Sequence, residues 1–178
     1  MSLIVQKFGG TSVADAERIH RAARRAIRAK LSGHRVVLVV SAMGHSTDKL
    51  IALAREVCSD PPKREMDMLL TTGEQVSIAL MAMAIDAAGH EAISLTAGQL
   101  GLLTDSAHTR ARIQRISRER IDKELEARGV IACSQSRKGL AEEQPKAYKN
   151  VDDVVDVVHA AGLSHKVARM RPIGVIKG

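Results

Sequence analysis

Leu3-Ile4-Val5-Gln6-Lys7 is a short, almost continuously apolar run, and Arg35-Val36-Val37-Leu38-Val39-Val40 is a second one. Runs this short and this apolar read as strands covered on both faces, as the strands of parallel sheets are. The stretch between them has a different period. Ile19, Ala22, Ala23, Ala26 and Ile27 recur at three- and four-residue intervals while Arg18, Arg21, Arg24, Arg25 and Arg28 take the remaining surface, which predicts an amphipathic helix from Asp15 to Leu31. Gly33 closes it. Two parallel strands cannot be joined by a tight turn, so strand, helix and strand make one β-α-β unit and the chain is expected to be α/β. The arginines are expected to form a solvated face rather than a nucleic-acid patch.

The first strand breaks at Lys7-Phe8-Gly9-Gly10-Thr11-Ser12-Val13. Adjacent glycines let the backbone turn sharply and bring its N–H groups close to an anion, because no Cβ intervenes. Lys7 adds a full positive charge, and the helix from Asp15 aims its positive end into the same space. This is the layout of a phosphate cradle, although it is neither the nucleotide-binding loop ending in Gly-Lys-Ser/Thr nor the dinucleotide fingerprint. By spacing alone it is weak, and a plain strand-end turn would look the same.

Further along, Ser46-Thr47-Asp48 supplies capping residues for a helix reaching Val57, and Ser59-Asp60-Pro61-Pro62 is a break. A long helix is predicted from Lys63 to Ala88, with Met66, Leu69, Leu70, Val76, Leu80, Met83 and Ala87 toward the core. Residues 91–95 read as a third strand, 112–116 as a short one, and 118–128 as a charged helix. The chain of 178 residues suffices for a domain with a sizeable core. With no Trp, one Phe and one Tyr, sequential base stacking on aromatic platforms is not expected. The net charge of +7 suits anionic ligands such as nucleotides. Cys58 and Cys133 lack metal or disulfide spacing and are expected to be reduced and structural. No window approaches the roughly 18 apolar residues of a membrane span, so a cytoplasmic protein is expected.

Lys7-Phe8-Gly9-Gly10-Thr11-Ser12-Val13 resembles the opening signature of the aspartokinases, of the amino-acid kinase superfamily. The likeness continues through Val40-Ser41-Ala42-Met43-Gly44-His45-Ser46-Thr47-Asp48, Glu65-Met66-Asp67-Met68-Leu69-Leu70-Thr71-Thr72-Gly73-Glu74 and Gly98-Gln99-Leu100-Gly101-Leu102-Leu103-Thr104. Four motifs stand in family order, and the likeness is expected to stop at about residue 129. The resemblance implies a partial amino-acid kinase (carbamate kinase-like) fold and transfer of the γ-phosphoryl of ATP, with Mg, to the side-chain carboxylate of L-aspartate. It implies that Lys7 is catalytic and that Lys7, Phe8, Gly9 and Gly10 hold the nucleotide's phosphates. Thr11, Ser12, Ser41 and Thr47 become substrate contacts, and Glu74 the partner of the substrate ammonium. No metal-ligand cluster of protein side chains is assigned. Each residue has a plainer role beside this one: Thr11 and Ser12 as helix caps, Thr47 as an N-cap, Glu74 as an exposed helix glutamate.

From about residue 130 the chain is similar to another family. Ala147-Tyr148-Lys149-Asn150-Val151-Asp152-Asp153-Val154-Val155 and the terminal Lys166-Val167-Ala168-Arg169-Met170-Arg171-Pro172-Ile173-Gly174-Val175-Ile176-Lys177-Gly178 resemble the C-terminus of the RtcB-type RNA-splicing ligases. The organisation expected is therefore 1–129, a truncated kinase-like domain, and 130–178, a ligase-like, α-rich tail. Tyr148 and Lys177 match positions that lie against the guanine nucleotide in those ligases, yet the ligase's guanylylated histidine and metal ligands have no counterpart here. The kinases' later nucleotide-seating segments have none either, which implies a chain without turnover and a sheet with an open edge. The alternatives are an RNA-ligase fragment using GTP and Mn, and a non-catalytic module that binds nucleotide or pairs with another chain. L-aspartate is the expected partner, a homo-oligomer is left open, and neither membrane nor nucleic acid is expected.

Overall fold

The computed structural model describes residues 2–104, 113–115, 117–134 and 165–167. Strand β1 (Leu3–Phe8) pairs in parallel with β2 (Arg35–Val40), Leu3 opposite Arg35 and Phe8 opposite Val40. Helix α1 (Ala16–Leu31) makes the crossover. Its N-cap is Asp15, whose Oδ1 accepts the Arg18 N–H at 2.8 Å, and Ile19, Ala22, Ala23, Ala26 and Ile27 form its buried stripe. The arginines lie on the other side, as their positions require.

Helices α2 (Ser46–Val57) and α3 (Lys63–Asp86) follow, then β3 (Ile93–Leu95), β4 (Leu103–Thr104), β5 (Ile113–Arg115), α4 (Arg118–Arg128), β6 (Val130–Ser134) and β7 (His165–Val167). The main sheet has the order β3-β6-β2-β1-β7, with every pairing parallel. The short strand expected at 112–116 is β5, which pairs antiparallel with β4 in a separate two-stranded sheet. Alternation along the strands sends Phe8, Val36, Leu38, Val40, Val130 and Ala132 to the face covered by α1 and α3. Leu3, Val5, Val37, Val39, Leu95, Ile131 and Cys133 face α4, through Ile121 and Leu125. Both faces are thus dry, which is why these strands read as unbroken apolar runs.

Several expectations are corrected. Val130–Ser134, taken as the start of a different segment, is a fully buried strand between β2 and β3, held after the left-handed Gly129 (φ 77°) that ends α4. The sheet therefore does not stop at residue 129. Within the tail expected to be α-rich, the described residues are strands β6 and β7, and β7 pairs with β1. The start of α2 is capped differently too: the N-cap position is His45, without a side-chain cap bond, and Ser46 and Thr47 fall inside the first turn.

A further correction concerns α3. Of the residues expected in the core, Leu70 is buried, Met66 and Leu69 are half-buried, and Val76, Leu80, Met83 and Ala87 are exposed. The buried side instead carries Asp67, Leu70, Thr71, Gly73, Ser77, Ile78, Met81, Ala84 and Ile85. The helix is apolar around much of its circumference, so periodicity leaves its rotation undetermined, and the small residues Gly73, Ser77 and Ala84 let that side approach its neighbours. By length and hydropathy alone α3 is also apolar enough to cross a bilayer, contrary to the expectation that no window approaches a span. Here it packs against α1, β6 and β3 with polar Asp67, Thr71 and Ser77 turned inward.

Candidate functional site

In open parallel sheets, ligands meet the chain beyond the carboxyl ends of the strands, where loops and helix starts converge. β1 delivers Lys7 and Phe8 to that edge. The chain then turns at Gly9 into a 3-10 turn, Gly10–Val13, whose first closed bond is Ser12 N–H to the Gly9 carbonyl at 2.9 Å. The first N–H groups of such a turn precede its hydrogen bonds and are the ones available to an anion. Lys7, half-buried, shares by alternation the sheet face of Leu3 and Val5, and Phe8 is buried on the opposite face.

The two glycines do different work. A Cβ on Gly9 would meet nothing within 4 Å, whereas one on Gly10 would stand 2.7 Å from the Ala42 carbonyl oxygen. Gly10 is thus wedged against the loop that follows β2. Gly44 N–H donates to the Gly10 carbonyl at 3.0 Å, and Ser41 N–H donates to the Phe8 carbonyl at 3.0 Å. The glycine turn and the 41–44 loop therefore form one unit, with Gly9 on its open side. Arg18 of α1 pins the turn from outside, its Nη1 donating to the Thr11 carbonyl at 2.9 Å, and Thr11 and Ser12 are exposed.

Ser41 lies half-buried just past the end of β2, and Thr47 half-buried in the first turn of α2. Glu74 reaches the same edge from α3. It is half-buried, and by helical spacing it falls in the row of Asp67, Thr71, Ile78, Met81 and Ile85 that turns inward. Its carboxylate is near enough to Cys133, close to the end of β6, to be felt there. Burial first, and the nearby Glu74 charge in the same direction, together push the Cys133 thiol up to about 12. Cys133 Sγ–H donates to the Leu38 carbonyl at 3.4 Å. This cysteine is a neutral core group, as its spacing suggested.

The structure thus gathers Lys7, Phe8, Gly9, Gly10, Thr11, Ser12, Ser41, Thr47 and Glu74 at the carboxyl edge of the sheet. Tyr148 and Lys177 lie outside the described residues. Sequence reading missed the interlock through Ala42 and Gly44, whose signal was a glycine two residues before the α2 helix, and it missed Asp67, an acid only 6% exposed on the Glu74 side of α3. Among the described residues no three His, Cys, Asp or Glu side chains cluster as metal ligands.

The amino acid kinase family model matches residues 2–155 of this chain. An aspartokinase of Bacillus sp. (strain MGA3) is 54% identical over 134 residues, covering 75% of this chain and 33% of that protein. Aspartokinase 2 of Bacillus subtilis (strain 168) is 50% identical over 143 residues, covering 80% and 35%. The chain therefore spans about a third of the length of these relatives. Among solved structures, aspartate kinase from Synechocystis superposes with a TM-score of 0.68 at 39% identity, over 90% of this chain and 26% of that one. These matches give no support to the RNA-ligase resemblance of the tail.

Proposed function

Because this chain belongs to the amino acid kinase family, we propose that its site is the amino-acid and phosphate-binding part of an aspartate kinase. The observation that carries the reading is the wedging of Gly10 against the Ala42 carbonyl, which holds the glycine turn against the loop of Ser41 at one edge of a parallel sheet.

In the reaction an oxygen of the L-aspartate side-chain carboxylate attacks the γ-phosphorus of ATP. The new P–O bond forms as the bond to the β-phosphate oxygen breaks, and ADP leaves with that electron pair. Little covalent chemistry is asked of the protein, so positioning and charge stabilisation dominate. Lys7 neutralises charge on the transferred phosphoryl oxygens, and the Gly9-Gly10 amides cradle them. Glu74 takes the substrate ammonium. Thr47, in the first turn of α2, offers its hydroxyl and the helix start to the α-carboxylate, with Ser41, Thr11 and Ser12 as further hydroxyl contacts. A magnesium ion travelling with ATP would add charge neutralisation; the described residues form no carboxylate cluster to seat it, and these assignments do not depend on it. The setting proposed is cytoplasmic.

As the chain spans about a third of its relatives, the proposal for the 178-residue chain is binding without turnover. L-aspartate added to the isotope-labelled chain should shift the amides of Ser41, Thr47 and Glu74, with Glu74→Gln removing the response. No aspartyl hydroxamate should form from ATP and hydroxylamine. Unshifted amides, or a Glu74→Gln chain that responds like the parent, would refute the binding assignment.

A further inference from the structure

Gly73 sits near the middle of the 24-residue helix α3, where glycine is disfavoured against alanine because it loses the most backbone freedom. It is buried, and the space its missing side chain leaves is fully used. A Cβ there would meet Leu50 Cδ1 at 3.3 Å, the Ala42 Cβ at 3.4 Å and the Ser46 Cβ at 4.0 Å. All three neighbours belong to the segment after β2 that also carries Ser41 and Thr47. The contacts are unequal in kind. Leu50 Cδ1 ends a side chain that can change rotamer, but the Ala42 Cβ is fixed to the backbone and at 3.4 Å already stands at the near limit of ordinary contact, so a Cβ at 73 leaves no slack between α3 and the 41–46 loop and any adjustment there is a few tenths of an ångström.

We propose that Gly73 is a positioning residue of the site: by letting α3 press on Ala42 and Ser46, it sets the span between Glu74 on the helix and Ser41 and Thr47 on the loop. That span must match an amino acid held at both its ammonium and its carboxylate. The hydroxyls around Gly73 serve the same end. Ser77 Oγ–H donates to the Gly73 carbonyl at 3.1 Å and Thr71 Oγ1–H to the Asp67 carbonyl at 2.8 Å, so these inward polar groups are satisfied within the helix. The inference rests on the aspartate-binding reading above, and its test separates the two.

The test compares the 178-residue chain, Gly73→Ala, and Gly73→Ala combined with Ala42→Gly. Each is titrated with L-aspartate and, separately, with inorganic phosphate, and followed by amide shifts and thermal melting. Gly73→Ala should weaken L-aspartate binding roughly fivefold or more. It should leave the phosphate-induced shifts at Gly9 and Gly10 in place and should not lower the melting temperature, since alanine favours the helix. Ala42→Gly should restore L-aspartate binding to within about twofold by removing the opposing Cβ. Unchanged L-aspartate affinity in Gly73→Ala overturns the proposal, as does a Gly73→Ala chain that melts early or loses both ligands and is not restored by Ala42→Gly. Should the parent chain ignore L-aspartate, the aspartate reading fails by itself. Gly73 is then judged by the Ser41, Ala42 and Ser46 amides, which must move in Gly73→Ala and return in the double variant for the positioning role to survive.

Discussion

Alanine at position 10 and alanine at position 9 should behave as opposites, although the two glycines are neighbours. At Gly10 the new methyl would lie 2.7 Å from the Ala42 carbonyl oxygen, inside the 3.0 Å that real Cβ atoms essentially never cross, and the obstacle is backbone. Relief requires the turn and the 41–44 loop to part, which strains the 3.0 Å hydrogen bond from Gly44 N–H to the Gly10 carbonyl. Overpacking costs about 1–3 kcal/mol and a weakened backbone hydrogen bond about 0.5–1.5 kcal/mol, so Gly10→Ala should lose roughly 2–4 kcal/mol. In a chain of this size that is a fall of about 4–16 °C in melting temperature. At Gly9 the methyl meets nothing within 4 Å. Stability there should change by no more than about 1 kcal/mol, and toward greater stability if alanine mainly restricts the unfolded chain. The methyl would, however, enter the side of the turn open to an anion, and phosphate-induced amide shifts should shrink. Urea unfolding at constant m-value, paired with a phosphate titration, measures both effects. A Gly10→Ala chain as stable as the parent, or a Gly9→Ala chain destabilised to the same degree, would refute the interlock.

Lys7→Ala should abolish ATP-induced shifts around Gly9, Gly10 and Ser41 with the fold intact: millimolar binding is worth only about 4 kcal/mol, and one charge-assisted contact about 1.5–3 kcal/mol of it. An unfolded Lys7→Ala chain would make the lysine structural instead. On α3, Ile78→Ala should cost about 2–4 kcal/mol in urea unfolding, because Ile78 is 3% exposed, while Val76→Ala, at 52% exposure, should cost under about 1 kcal/mol; equal costs would restore the rotation that periodicity suggested. A thiol reagent at pH 8 should modify exposed Cys58 promptly and reach buried Cys133 only on unfolding. Since burial raises the Cys133 thiol in the folded chain from 9.0 to about 12, its contribution to stability is fully present below about pH 9 and is lost as pH rises toward 12. Cys133→Ala should flatten that alkaline decline, and an unchanged decline would count against the burial.

The sequence by itself determined the elements whose two sides differ in chemistry. Helix α1 was legible to its cap because arginines mark its wet side and alanines and isoleucines its dry one, and β2 to its end residues because six apolar-rich positions lie between a glycine turn and a polar loop. The Lys7 to Ser12 turn, Ser41, Thr47 and Glu74 were nameable from motif spacing. Only the tertiary structure decided how α3 is rotated, since a helix apolar on most sides carries no mark of which side is covered until Gly73, Ser77 and Ala84 find neighbours. It alone decided that Val130–Ser134 lies between β2 and β3, because strand order comes from contacts between residues far apart in the chain and leaves no local periodicity. The separate meanings of Gly9 and Gly10, identical letters in sequence, come from a carbonyl oxygen of Ala42 supplied by another loop.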